Sequence, residues 1–151
     1  MPPLRDRGLT LDLPPGWEGE IYQRPPGRDR RTHPVMHAAN FPLRPGRGDF
    51  GSGAVELMTA GHVFVSLFEY GPEAVGTALF AKQGLPDVRP EDFSPQTMQR
   101  PLPGQAGLQH FFTFNGRAFC LYVALGSHRM RGRVVPLVNE VLRTLRIEAR
   151  G

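Results

Sequence analysis

"LQHFFTFNGRAFCLYVALG", residues 108–126, decides how this chain is read. Asn115-Gly116 stands between two aromatic runs, and that dipeptide accepts the two positive φ angles of a type I′ turn, whose twist matches the strands on either side. A two-residue turn also fixes the register. It sets Phe114 opposite Arg117, Phe112 opposite Phe119 and His110 opposite Leu121 on one face, with Phe111 opposite Cys120 on the other. Both faces are largely apolar, which predicts an interior hairpin with layers above and below it.

The flanking segments extend this reading. "HVFVSLFEY", residues 62–70, is β-branched and aromatic on both faces and reads as a central strand covered from two sides. Pro34 to Phe41 reads as another strand, and Ala54 to Thr59 as a short helix or turn. Near the start, Leu9, Leu11 and Leu13 alternate with Thr10 and Asp12, the period of a half-buried strand. Pro15-Gly16 then suits a type II turn, which leaves Trp17, the only tryptophan, as an apolar plug just past the corner. A returning strand can begin at Glu20 to Gln23. Arg24 to Thr32 and Pro42 to Gly53 are loops. Residues 71–107 carry six prolines and leave room for only a helical turn or two, so this stretch wraps the surface or forms a functional loop. At the end, Val134, Val138, Val141, Leu142 and Leu145 form a stripe at helical spacing, with Asn139, Glu140, Arg143 and Arg146 opposite and Pro136 suited to the first turn.

The strand-corner "LTLDLPPGW" and the helix-to-strand segment "VNEVLRTLRIE", with the hairpin between them, resemble the PsbP-like fold. The resemblance spans most of the chain, apart from 71–107. It implies an α+β domain, an antiparallel β-sheet with helices packed on its faces as an α/β/α sandwich, closed by an amphipathic C-terminal helix. It carries no functional residue with it.

Composition narrows the function classes. At 151 residues the chain is one ordinary domain, able to bury roughly 70% of its unfolded surface without staples. Lys82 is the only lysine, a bias that with the abundant Ala, Gly and Pro matches a high-GC coding pattern, so the arginines need no functional cause. The net charge of +4 is interspersed with 14 acidic residues, unlike the clustered footprint of a nucleic-acid binder. Cys120 is alone, which excludes an internal disulfide and a thiolate metal cluster. The sequence has no run of about 20 apolar residues, the length of a membrane span, and no signal-like run near Met1; a cytoplasmic location is the expectation.

The candidate motifs for chemistry dissolve on inspection. Gly46-Arg47-Gly48-Asp49-Phe50-Gly51 has dinucleotide-loop spacing but lacks the preceding strand and the following crossover helix. The Arg47-Gly48-Asp49 tripeptide and the PxxP segment Pro42 to Pro45 are equally unspecific. His33 and His37 share helical i, i+4 spacing, yet Pro34 disfavours a helix at His33, and in a strand their Cα atoms stand ~13 Å apart, too far to share an ion. Cys120 sits mid-strand opposite Phe111, where a thiol is inert. Ser52 lacks the strand and outer glycines of a nucleophile elbow. Glu91 and Asp92 read as solvated charge.

Two basic clusters remain, Arg28, Arg30 and Arg31 in the first loop, and Arg129, Arg131 and Arg133 with His128 before the last helix. The second is the stronger candidate, since a helix N-terminus adds free amides and partial positive charge to the guanidinium groups. The sequence thus predicts a non-enzymatic binding or accessory module that engages an acidic protein surface through Arg129, Arg131 and Arg133. It predicts no catalytic, cofactor or metal site. The alternative is a small enzyme or ligand-binding domain with a pocket against the sheet; exposed His110 or Cys120 in a pocket would favour it, and a packed sheet face would favour the module.

Overall fold

The chain runs through β1 (Leu4–Asp6), β2 (Leu9–Leu11), β3 (Glu18–Tyr22), β4 (Val35–Ala39), β5 (Val63–Glu69), β6 (Ala106–Phe114), β7 (Arg117–Leu125), α1 (Arg131–Leu142) and β8 (Arg146–Ile147). This is a computed structural model, and it describes residues 3–28 and 31–150. Five strands form one antiparallel sheet in the order β3-β4-β5-β7-β6, and β1-β2-β8 form a second, smaller antiparallel sheet. The architecture is therefore α+β.

The hairpin follows its turn chemistry. Asn115 (φ 52°) and Gly116 (φ 73°) both take the positive angles that the type I′ turn needs, and the pairings Phe114–Arg117, Phe112–Phe119, Phe111–Cys120 and His110–Leu121 are those expected. Its position differs from the expectation. β7 is buried along its whole length, but β6 is an edge strand, with Gln109 exposed and His110 and Phe111 half-buried. The proline-rich segment finishes that edge. The Thr113 N–H donates to the Lys82 carbonyl (2.8 Å) and its carbonyl accepts from Gly84 (3.2 Å), while Gly107 and Ser94 exchange both backbone bonds (2.9 and 3.0 Å). Four 3-10 turns lie along the segment, Pro72–Ala74 and Ala78–Phe80 before the first clamp, Pro90–Asp92 between the two and Pro95–Thr97 after the second; proline opens three of them, where its preset φ helps and its missing N–H costs nothing. A strap clamped at two points along β6 also denies the edge to a foreign strand.

One face of the large sheet packs under α1 and the small sheet. Met36, Ala38, Val65, Leu67, Leu121, Val123 and Leu125 from the large sheet meet Val134, Val138, Val141 and Leu142 from the helical stripe, Leu145, which was expected on the helix but lies just past its end, and Leu9, Leu11 and Ile147 from the small sheet. Trp17 is buried in this same core. Its N–H closes the turn on the Pro14 carbonyl (3.1 Å), so the Pro14–Trp17 corner carries the chain from the small sheet to β3 of the large one. Pro136 departs from its expected place: α1 begins at Arg131, so the proline is its sixth residue. The hydrogen bond it cannot make falls to the carbonyl of Gly132, an exposed residue on the solvent side of the helix, where the lost bond costs least.

The expectation of helices on both faces holds for one. α1 is the one α-helix among the described residues. The opposite face is covered instead by the 41–58 loop, with its 3-10 turn Val55–Leu57, and by Met98 of the strap; Phe41, Ala54, Val55 and Met58 pack there on Ala39, Phe64, Tyr122 and Ala124.

A buried ion pair sutures the two sheets. Arg117 on β7 grips Glu69 on β5 through two hydrogen bonds (3.1 and 2.7 Å), and both side chains are at most 6% exposed. Its remaining N–H groups donate to the carbonyls of Arg7, Gly8 and Glu148, which belong to the β1–β2 turn and the chain after β8. Gly8 is required in that turn twice over: its φ is +79°, and a Cβ there would lie 2.6 Å from Arg117 Nη1.

Candidate functional site

The arginines singled out from the sequence lie at the start of α1. Arg129 and Arg133 are exposed and Arg131 is half-buried; none of the three has an ion-pair partner among the described residues. Arg131 Nη1 donates to the His128 carbonyl (2.9 Å), which ties one arm locally. The first turn of α1 holds no acidic residue, and Met130 offers no side-chain cap. The expected free amides are a different matter. The N–H groups of Arg131, Arg133 and Val134 already donate to the carbonyls of His128 and Met130 in tight turns, so recognition here rests on guanidinium groups rather than on backbone. Arg28 and Arg31 of the other cluster are exposed, and Arg30 lies outside the described residues.

On the sheet face away from α1, register assembles rows that no local motif announced. Glu20, His37, Ser66 and Tyr122 are successive cross-strand partners on β3, β4, β5 and β7. Side chains in such a row share one face, so Glu20, His37 and Ser66 meet beneath the 42–53 loop, while the Tyr122 hydroxyl accepts from the Gln99 N–H of the strap (3.1 Å). That loop supplies their partners. The Asp49 carbonyl accepts from Ser66 Oγ (2.7 Å) and pairs with His37 Nε2 (2.9 Å), and Arg47 Nε donates to His37 Nδ1 (3.2 Å). This fixes the tautomer: Nδ1 accepts, so Nε2 carries the proton. The Asp49 carboxylate takes the Tyr22 hydroxyl (2.6 Å) and Arg24 Nε (2.8 Å), and Arg47 pairs with Glu20. His37 is fully buried; desolvation, reinforced by the Arg47 charge, pushes its pKa down to about 4, and it is neutral. Burial, with the bond to Asp49, pushes the Tyr22 hydroxyl up. With both ring nitrogens of His37 engaged, this network is a fastener for an irregular loop, neither a metal ligand nor a base awaiting substrate.

The same face has an uncovered end. The next row, Tyr22, Val35, Phe68, Cys120 and Phe111, crosses all five strands, and Phe68 and Phe111 are only half-buried. A groove of about 480 Å³ opens over Val35, Phe68 and Tyr70, walled by Arg24, Arg31 and His33 of the β3–β4 loop. His33 also borders two adjoining hollows, one of them reaching Arg117, Glu69 and Arg150.

The other residues weighed for chemistry are structural. Cys120 is 1% exposed, and burial pushes its thiol up to about 12. His110 is half-buried, stacked 5.7 Å from Phe112, lowered in pKa by burial, and lines neither the groove nor the adjoining hollows. His62 Nδ1 accepts from the Thr59 N–H (3.0 Å) beside Phe41. The glycine-rich loop spends its amides on itself: Gly48 N–H donates to the Ser52 carbonyl and Gly51 N–H to the Gly48 carbonyl. Asp92 is exposed, and its carboxylate also accepts from the Arg89 N–H (2.9 Å) to close a turn. Among the described residues no three His, Cys, Asp or Glu side chains converge as a metal site, and no helix is long and apolar enough to cross a membrane. Comparison with family models, with curated proteins and with solved structures returned no match.

Proposed function

We propose that this chain is a non-enzymatic binding or accessory module that engages an acidic protein surface through Arg129, Arg131 and Arg133. The observation that carries this reading is the isolation of those cations: they stand around the first turn of α1 with no ion-pair partner among the described residues and no acid in that turn. Leu137, 37% exposed, lies one turn beyond Arg133 on the same flank of the helix. Arginine beside an exposed aliphatic residue is the composition of a protein interface more than of a phosphate-tracking surface. The buried Cys120 and the packed sheet beneath α1 favour a module over an enzyme.

The PsbP-like architecture belongs to the same reading. Its support is the strand-corner at Leu9–Trp17, the helix-to-strand ending in β8 and the antiparallel hairpin; the face without an α-helix is its point of departure. A cytoplasmic setting suits the lone reduced thiol.

Fluorescence anisotropy with a labelled glutamate-rich peptide tests the site. Binding at low salt should weaken strongly by about 0.5 M salt and disappear in the Arg129→Glu/Arg131→Glu/Arg133→Glu variant. Equal or tighter binding of duplex DNA, or peptide binding that the triple variant retains, overturns the reading.

A further inference from the structure

We propose that the groove over Val35, Phe68 and Tyr70 is a binding site for a small aromatic carboxylate, a second site distinct from the α1 arginines. Its volume of about 480 Å³ lies within the range of small-molecule sites, roughly 300–1,000 Å³. The floor is aromatic and already held in place. Phe68 stacks on Phe50 with ring centroids 5.2 Å apart and planes 21° from parallel, and makes a T-shaped contact with Tyr70 at 5.1 Å. Tyr70 in turn leans on Phe80 at 4.9 Å. These rings stay half-exposed although aromatic neighbours hold them, so a flat apolar ligand gains contact area without having to order the floor.

Charge chooses among flat ligands. Two of the three carboxylates at the walls are engaged: Asp49 accepts from Tyr22 and Arg24, and Glu69 is held by both Arg117 and Arg150. Glu73 is exposed and folded back over Gly71, where a Cβ would meet its carboxylate oxygens. Among the described residues five arginines, Arg7, Arg24, Arg31, Arg117 and Arg150, face four carboxylates, Asp49, Glu69, Glu73 and Glu148, around the groove and the hollow that adjoins it, a positive excess of one. Arg31 is exposed and has no ion-pair partner among the described residues, and the Tyr70 hydroxyl makes no hydrogen bond among them. A guanidinium fork and a phenol donor above an aromatic floor match a ring bearing a carboxylate.

The test is titration of the whole protein with 2-naphthoate, 2-naphthamide and 2-naphthylmethylammonium by calorimetry, with protein NMR to locate the site. Saturable naphthoate binding is expected, with shifts at Phe68, Tyr70 and His33, weaker binding of the amide and none of the cation. Arg31→Gln, a change at an exposed position, should weaken naphthoate about tenfold, and Tyr70→Phe about threefold. The triple glutamate variant at Arg129, Arg131 and Arg133 should bind naphthoate unchanged, which separates this site from the protein-binding surface. No saturable naphthoate binding at millimolar concentration, equal affinity for the cation, or an Arg31→Gln variant that binds as well as the parent overturns the proposal.

Discussion

The two faces of the five-stranded sheet are closed by different means. Beneath α1 the contact is made of carbon: Met36, Val65, Leu67, Leu121 and Val123 are fully buried against a helical stripe that repeats at the right period to meet them. On the opposite face a loop without a repeating pattern lies over the strands, and the sheet presents Glu20, His37 and Ser66 to it. A helix satisfies its own backbone and can rest on an oily surface, whereas an irregular loop brings polar groups that must find partners before they can be buried. Polar side chains in the middle of that face are therefore the condition for covering it with a loop, and where the loop ends, a groove begins.

That contrast predicts unequal costs. Trp17→Ala removes a ring from the carbon-lined core and should destabilise by about 4 kcal/mol in urea denaturation. Phe50→Ala, at a half-buried position on the loop face, should cost about 1–2 kcal/mol. Equal losses would mean that the two faces are packed alike. The seam between the sheets comes next. Arg117→Met strands Glu69 with only Arg150 beside it and takes the guanidinium donor from the Arg7 and Glu148 carbonyls, an expected loss of about 3 kcal/mol. Adding Glu69→Leu should recover a large part of it, since the buried carboxylate is then gone; a double variant worse than the single one would show that the pair stabilises in its own right.

The first face was legible because it repeats. Leu9 and Leu11, the Val134-to-Leu145 stripe and the Asn115-Gly116 turn each follow a periodicity or a local conformational demand, and local demands survive in sequence. The strap over 71–107 was half legible: its prolines exclude regular elements, but nothing in them names β6 as the edge they clamp. The loop face was not legible. His37 and Ser66 lie 29 positions apart and meet only through the β4–β5 register, and Asp49 reaches them with a backbone carbonyl, which every residue has. Arg117 looked like an ordinary hairpin residue, because its partner Glu69 and its three carbonyl acceptors come from other elements. The groove emerged from what the loop fails to cover, for which the sequence holds no local sign.

Acid should find the loop face first. His37 is held at about 4 in the folded protein and returns to about 6.5 when unfolded, so above pH 6.5 both states are neutral and the folded state loses nothing. As pH falls from about 6.5 to about 4 the unfolded chain takes up a proton that the folded chain refuses, and stability drops by roughly 3 kcal/mol across that window. Protonation would also force a charged ring against Arg47 and remove the acceptor of its Nε–H. His37→Gln should flatten this part of the stability–pH curve. A parent protein equally stable at pH 4.5 and 7 would show that His37 is not the buried neutral donor of the loop network.

The smallest effect concerns the helix end. Arginines at the N-terminus of α1 oppose the partial positive charge of the helix, so they are set against folding rather than for it. Changing Arg129, Arg131 and Arg133 to glutamate reverses that interaction and should raise stability by about 0.5 to 1 kcal/mol at low salt, a gain that fades as salt screens it. The one local tie at risk is the bond from Arg131 to the His128 carbonyl, and as a partly exposed contact beside water it is worth little. A salt-sensitive gain in stability together with loss of acidic-peptide binding would mark these cations as held in place at a small cost to the fold and in favour of recognition. A variant that loses more than about 1 kcal/mol would make them part of the structure, and the carbon-lined side of the sheet would then depend on its charged rim as the other side depends on its polar row.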